Sequence, residues 1–540
     1  MKEWHFGTAY ELISDTVGDH PALICDGVTR NWTEYDDRSA RLAGFFVSEG
    51  LSTESKVGLY LHNSNEYMEA HHAAMKLRGC PINVNYRYQE DELVYLLNNA
   101  DAEAVVFHAR YADRIDAIKN RLEKAKVFIQ VSDDSENSLV NGACDYESVI
   151  ADSEPMPRIN RKAEDLYMLY TGGTTGLPKG VMYSNGEHCS ALCGIGAMLG
   201  TPVPQSISDL RNCIAQTKDL GMLPRGLVCC PLMHGTGIWV GAMITHLTGG
   251  AVITLKNLGL DADLLWQQVQ NEKATLATIV GDAFARPMLD ALDQAKNHDS
   301  PYDLSSLKII LSSGVMWSQE VKEGLLGHHD MMLVDAMGSS EGSMGIAIAA
   351  RGVPPKTASF QANEDVKVFD DNDQEVAAGS EQIGMVATPS AMRGYYKDPE
   401  KTEKTVRVID GVRWVFPGDY AKIESDGSMT LLGRGSMCIN TAGEKVFPEE
   451  VEEALKSHPR VKDCLVVGVP DEKFGEKVVA LASCSDQSFQ ESELIDHCRT
   501  KVAGYKLPKR VMLVDEVGRA PNGKADYKWA KSRALELLQA

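Results

Sequence analysis

The chain has 540 residues, 44% of them hydrophobic and 24% charged, proportions of an ordinary globular protein long enough for two or more domains. A formal charge of −22 argues against nucleic-acid or anionic-membrane binding and requires that an anionic ligand be met by local positive charge. The twelve cysteines contain no C-x-x-C pair and their spacings do not resemble a zinc framework, which fits a reducing compartment. There is no signal pattern at Met1-Lys2-Glu3-Trp4-His5 and no apolar run of about 18 residues, so no spanning helix is expected and the expected location is cytoplasmic.

Residues 10–49 read as helix, strand pair, helix. Strands are expected at 21–25 and 28–32 around Asp26-Gly27, and Thr33 then opens an amphipathic helix carrying Leu42, Phe45 and Phe46. Residues 57–61 form a buried strand, and Ser64 caps the helix that follows. Residues 104–107 and 127–131 are further short strands separated by helices, and 132–141 is a polar surface loop. The alternation resumes at 251–255, 278–280 and 308–311, which predicts a mostly parallel wound sheet. From Val366 onward short strands and tight turns dominate. A glycine-rich joint at Gly433-Arg434-Gly435-Ser436 precedes about a hundred residues of helix, strand, helix, strand, enough for a small domain of their own. The expected division is 1–434 and 435–540.

The densest chemistry lies at Thr171-Gly172-Gly173-Thr174-Thr175-Gly176-Leu177-Pro178-Lys179-Gly180, between two apolar strand segments. Glycines let backbone N–H groups approach a ligand, threonines add hydroxyl donors, and Lys179 adds a point charge, an inventory suited to a polyphosphate. The spacing is not that of the common P-loop. The other reading is a plain Gly/Thr hairpin turn. Pro231 to Gly237, with His234 and Gly235, starts a helix that includes Trp239. Ser312-Ser313-Gly314 ends a strand, where ligands collect in open α/β sheets. Asp335 to Gly342 follows an apolar strand at 331–334. A carboxylate on such a glycine-flanked loop suits Mg²⁺, although the stretch also fits a helix cap followed by glycine. Gly418-Asp419 sits between strands, where the acid holds ribose hydroxyls or shapes a turn. Lys501, Lys506, Lys509, Arg510, Arg519, Lys524 and Lys528 form a basic patch where an anion would dock.

Thr171 to Gly180, His234-Gly235, Gly338-Ser339-Ser340-Glu341, Gly418-Asp419, Gly433-Arg434 and Lys524 occur in the order found in the adenylate-forming superfamily, which the chain resembles over nearly its whole length. That superfamily comprises acyl- and aryl-CoA synthetases, peptide-synthetase adenylation domains and luciferases. Asn185-Gly-Glu-His188, residues 81–87 and residues 435–445 look closest to synthetases of fatty-acyl and steroid-side-chain substrates. The resemblance implies an α/β fold, α+β at the C-terminus. A large N-terminal domain of wound sheets, flanking helices and a small β-rich part would carry a small mobile C-terminal α/β lid. It implies an ATP-dependent acyl-CoA synthetase that makes an acyl-AMP and passes the acyl group to coenzyme A.

On that resemblance Thr171, Gly172, Gly173, Thr174, Thr175, Gly176 and Lys179 cradle the β- and γ-phosphates. Glu341 holds Mg²⁺, and Ser340, with Gly338 and Ser339, meets the α-phosphate. Asp419 and Arg434 bind ribose and phosphate, Gly314 lines the site, and Lys524 bridges the carboxylate and α-phosphate. His234, Gly235 and Trp239 face the acid, while Gly443 and Lys445 serve the thiol. Three residues depart from the family pattern: Met337 where an aromatic residue stacks on adenine, Ser340 for threonine, and Ser436 for the hinge Asp or Lys. Carrier-protein loading, a non-catalytic acyl or nucleotide sensor and luciferase-like oxygenation stay open, and a homodimer is compatible with all of this.

Overall fold

The computed structural model describes residues 3–171, 177–256, 259–353, 357–441, 444–471, 475–485, 490–519 and 523–539. Gly172, Gly173, Thr174, Thr175, Gly176 and Gly443 lie outside the described residues, and Lys445 is described by its backbone alone.

Alternating apolar strands and helices build two wound sheets. In the first, Cys80–Asn83, Lys56–Tyr60, Ala102–His108, Val127–Val131 and Cys144–Asp145 run parallel in that spatial order. In the second, Pro21–Cys25, Ala251–Thr254, Arg225–Val228, Leu276–Ile279, Ile309–Ser313 and Met332–Ser339 are parallel neighbours. The strands Ala251–Thr254, Leu276–Ile279 and Ile309–Ser313 are buried along their whole length, as expected for parallel strands covered on both faces. The helix Trp32–Ser48 starts one residue before the expected Thr33, because Asn31 is the cap. Its side chain accepts from Glu34 N at 2.8 Å and the Glu34 carboxylate accepts from Asn31 N at 2.9 Å.

The second sheet changes character earlier than Val366. Met332–Ser339 continues past residue 334 and pairs antiparallel with Gly342–Ala349, leaving Ser340-Glu341 as the turn between them. The small residues of 342–349 carry little strand propensity, and the pairing itself supplies what they lack. Ser359–Ala362, Met429–Arg434, Asp419–Ile423, Ile383–Ala387 and Lys367–Phe369 extend the sheet, giving the β-rich part its own core around Met344, Phe360, Val386 and Met429. A separate antiparallel sheet joins Leu166–Thr171, Lys179–Ser184 and Met392–Tyr395.

Past a tight turn at Gly435–Met437, the chain enters a different sheet. It is made of Ile439–Thr441, Glu444–Val446, Val461–Asp471, Gly475–Cys484 and Arg510–Leu513. The helices Pro448–Lys456, Glu491–Arg499 and Tyr527–Gln539 pack on it around Val451, Leu455, Val466, Leu481 and Ala534. The architecture is a large mixed α/β lobe of wound sheets and a small C-terminal α/β lobe. Among the described residues no helix is long and apolar enough to cross a membrane.

Candidate functional site

Gly314 leaves the C-terminal end of the strand Ile309–Ser313 with φ at +93°, a conformation that favours glycine. A Cβ built there would lie 3.6 Å from both the Lys524 Cε and the Thr236 Oγ1. The turn carrying Lys524 is therefore seated on the large lobe, and its neighbour Gly523 packs so closely that a Cβ would approach the Ala283 Cβ to 2.8 Å. The Lys524 side chain is exposed, with charged groups of the large lobe near it. Those surroundings push its pKa down through lost solvation and the nearby Arg434, against the pull of Asp419 and Glu341. Beside Gly523 a cleft of 630 Å³ runs between the lobes, walled by Tyr86, Arg87 and Phe284 on one side and Lys462 and Arg519 on the other.

Asp419 and Arg434 are direct partners across the antiparallel pair Asp419–Ile423 and Met429–Arg434. Arg434 Nε donates to Asp419 Oδ1 at 3.3 Å, while the buried Asp419 Oδ2 has no protein donor. Burial raises the Asp419 pKa, and Arg434 offsets only part of that push. A buried acceptor without a donor is costly, so this oxygen is placed to take a hydroxyl from a ligand.

Ser340 and Glu341 form the hairpin turn, and two tyrosines pin it. Tyr183 Oη donates to the Ser340 carbonyl at 2.7 Å, and Tyr395 Oη donates to Glu341 Oε1 at 2.6 Å. Glu341 N donates to Ser339 Oγ at 3.2 Å, and beside Gly338 the backbone O of Gly342 would lie 3.4 Å from an added Cβ. The other acid of this stretch, Asp335, is buried against Lys322 at 3.1 Å with its pKa pushed up to about 6 by burial, and so has a structural partner. Thr171 and Lys179 face each other at the base of their hairpin, and Lys179 Nζ reaches Asp398 Oδ2 at 2.6 Å. Among the described residues no cluster of three or more His, Cys, Asp or Glu could hold a metal ion. A lone carboxylate such as Glu341 suits Mg²⁺, which takes one or two carboxylates and fills its shell with waters and phosphate oxygens.

His234 lies near Lys524 and Arg87, its pKa pushed down to about 3 by burial and by those two cations. It is therefore a neutral imidazole, and its Nε2 has no protein partner. Gly235 leads into the helical turn Thr236–Met243, which is π-helical, a form frequent at functional sites. Trp239 is buried in this arrangement. It is 8% exposed, its Nε1 donates to Tyr167 Oη at 3.0 Å, and His188 packs edge-on at 4.6 Å. Met337 is likewise buried, in the core of the β-rich part. The expected basic patch is also partly neutralised. Lys506 pairs with Glu450, Arg510 with Glu491, and Arg519 with Asp463. Those acids lie outside residues 501–528, so counting charges within that stretch missed them.

The structure thus brings Gly314, Glu341, Asp419, Arg434 and Lys524 near one another. Tyr183, Tyr395, Asp398 and Glu449 were not singled out from the sequence. Asp398 precedes Pro399 at a helix start, the one local signal among them. Glu449 packs on Gly433, whose φ is +119° and whose added Cβ would lie 2.1 Å from Glu449 Oε2. Burial raises the Glu449 pKa to about 8, with Glu452 and Asp419 adding to the push.

Two family models match: AMP-binding enzyme over residues 13–396 and AMP-binding enzyme C-terminal domain over 450–524. A 3-oxocholest-4-en-26-oate–CoA ligase of Rhodococcus rhodochrous is 40% identical over 535 residues, covering 96% of this chain and 94% of that protein. A medium/long-chain-fatty-acid–CoA/3-oxocholest-4-en-26-oate–CoA ligase of Mycolicibacterium smegmatis is 38% identical, with 96% and 94% covered. Among solved structures, the anthranilate CoA ligase AuaEII in complex with anthranoyl-AMP superposes with a TM-score of 0.84 at 20% identity, covering 100% of this chain and 99% of that one. ATP-bound MatB from Rhodopseudomonas palustris superposes at 0.80 with 22% identity, covering 99% and 100%. At such identities these last two are likenesses of fold.

Proposed function

The chain belongs to the AMP-binding enzyme family, and from that premise we propose that it is an acyl-CoA synthetase for fatty-acyl or steroid-side-chain acids. The family's activity is adenylate-forming ligation of a carboxylic acid through an acyl-AMP. The observation that carries the reading is the convergence of Lys524, from the small lobe, on Gly314, Asp419, Arg434 and Glu341 of the large lobe.

In the first step the substrate carboxylate attacks the α-phosphorus of ATP and pyrophosphate leaves. Negative charge builds on the phosphorus oxygens, and Lys524 and Arg434 are placed to stabilise it where it develops. Asp419 Oδ2 accepts from a ribose hydroxyl, which supplies its missing donor. Thr171, Lys179 and the loop 172–176 receive the β- and γ-phosphates, and the Ser340 hydroxyl meets the α-phosphate. Glu341 would hold Mg²⁺, which supplies charge neutralisation of the phosphates. The neutral His234 has an N–H to offer the substrate carboxylate without repelling Lys524. In the second step the thiol of coenzyme A displaces AMP, and Gly443 and Lys445 are the residues assigned to serve it. We place the domain boundary near Gly435 and assign the two half-reactions to two faces of a rotating lid.

The acyl group is the finer part of the proposal. The relatives named above act on steroid-side-chain and medium- to long-chain acids, and the 630 Å³ cleft walled by Tyr86 and Phe284 falls in the size range of ligand pockets. Each methylene buried there adds about 0.8 kcal/mol. The test is pyrophosphate release over a panel of acids, with AMP release measured in the presence of free coenzyme A. Medium-chain, long-chain or steroid-side-chain acids should exceed acetate in catalytic efficiency. Acetate as the best substrate would sink the acyl assignment, and AMP release that needs a carrier protein would replace coenzyme A as acceptor. Lys524→Ala should abolish acyl-AMP formation yet convert supplied acyl-AMP to the thioester, and Gly443→Leu should do the reverse.

A further inference from the structure

We propose that residues 395–398 form a bracket in which Tyr395 and Asp398 are positioning residues, setting the Glu341 carboxylate and the Lys179 ammonium for Mg²⁺ and ATP. It rests on reading Glu341 and Lys179 as ATP-binding groups.

The bracket is tied to the strand that carries Lys179. Tyr395 pairs with Val181 in the sheet register, and Tyr396 N donates to the Gly180 carbonyl at 2.8 Å. Its own ends are tied to each other through Thr402. Thr402 Oγ1 accepts from Tyr395 N at 2.9 Å and donates to the Asp398 carbonyl at 2.9 Å. Asp398 uses one oxygen to stay in place, accepting from Lys401 N at 2.9 Å as the cap of the helix Pro399–Thr405. Its other oxygen holds Lys179 at 2.6 Å. Tyr395, at the other end, donates its hydroxyl to Glu341 at 2.6 Å. Tyr183, on the same strand as Lys179, holds the neighbouring Ser340 carbonyl, so the turn is pinned at two successive residues.

A glutamate has three side-chain torsions to freeze when it takes a metal, and a hydrogen bond that freezes them beforehand removes that cost from binding. The same logic applies to the long Lys179 side chain. The two contacts predict different defects. Tyr395→Phe removes one hydroxyl and should raise the free Mg²⁺ needed for half-maximal ATP binding by roughly tenfold. Asp398→Asn keeps an N-cap residue and loses the ion pair, so it should weaken ATP binding severalfold at every Mg²⁺ concentration without moving that midpoint.

The experiment is equilibrium binding of ATP to the full chain without acid or coenzyme A, titrated with Mg²⁺. The variants are Tyr395→Phe, Asp398→Asn, Glu341→Gln and Tyr395→Phe with Glu341→Gln. A shared role requires that Tyr395→Phe add nothing to the midpoint shift of Glu341→Gln, whereas a merely structural tyrosine would give additive shifts. An unmoved midpoint in Tyr395→Phe, or additivity, overturns the bracket and leaves the proposed function standing. An unmoved midpoint in Glu341→Gln overturns both the metal assignment and the bracket. If Tyr395→Phe does not fold, Asp398→Asn decides: unchanged ATP affinity overturns the proposal, and a uniform loss supports it.

Discussion

In the N-terminal helix region Glu11 accepts from Arg161 through both oxygens, at 2.8 and 3.0 Å, and from Lys76 at 3.1 Å. All three side chains are almost wholly buried. Across the lobe, at the cleft, Asp419 has one long contact to Arg434 and a second buried oxygen with no protein donor. The two carboxylates answer burial in opposite ways. Burial pushes the Glu11 pKa up, but the hydrogen bonds and charges of Arg161 and Lys76 bring it below the ordinary value. Burial also pushes Asp419 up, and there the single guanidinium does not bring it back. A buried charge that serves the fold is paired within the protein, because breaking such a pair strands its partners. A buried charge left short of donors is held in readiness for a ligand.

The strongest way to break this comparison is at the paired cluster. Glu11→Ala strands Arg161, which loses both of its carboxylate contacts, while Lys76 keeps Asp36 at 2.6 Å, and it should destabilise the large lobe by about 3–5 kcal/mol, read as the urea midpoint. A loss below about 1 kcal/mol would mean the cluster is not structural in this sense.

Acid tests the same region through its histidines. Burial pushes the pKa of His5, His71 and His188 to about 3 and that of His246 to about 4. In the unfolded chain they titrate near 6.5, so the unfolded state binds more protons between that value and 3–4. Stability should be complete above pH 6.5 and fall as pH drops through that window, at up to about 1.4 kcal/mol per pH unit for each histidine. Unfolding midpoints flat from pH 7 to 5 would contradict these burials.

At the cleft the expected effects are functional and smaller. Asp419→Asn should leave the urea midpoint within about 1 kcal/mol of wild type, because the one ion pair it weakens is a single long contact at 3.3 Å, yet weaken ATP binding about tenfold or more. Equal losses of stability and affinity would erase the contrast with Glu11. Glu449 sharpens it further. Its pKa is about 8 where it packs on Gly433, against an ordinary value of 4.5, so seating the small lobe favours the protonated acid. That contribution is complete below pH 4.5 and is lost as pH rises through about 8. Protease susceptibility of the joint at 434–437 should increase between pH 7 and 9 in the wild type and not in Glu449→Gln. The same increase in both proteins would assign the effect to another group.

The strand and helix alternation, the two strands flanking the glycine-rich stretch, and the order of motifs that marks the family were legible in the amino-acid sequence. Each is written within a few neighbouring residues, where periodicity, turn chemistry and caps act. The partners were not legible. Lys179 meets Asp398 across 219 residues and Tyr395 meets Glu341 across 54, distances set by which strands pair and in what register. Asp419 and Arg434 could each be named as a ligand-facing residue, but only the antiparallel register made them opposite neighbours and left Oδ2 bare. Only the packed structure enclosed Trp239 among His188, Tyr183 and Tyr167, and only it gave Lys506, Arg510 and Arg519 their acidic partners. The physical reason is that burial and charge pairing belong to the surroundings a side chain acquires, and those come from parts of the chain that local preference does not couple.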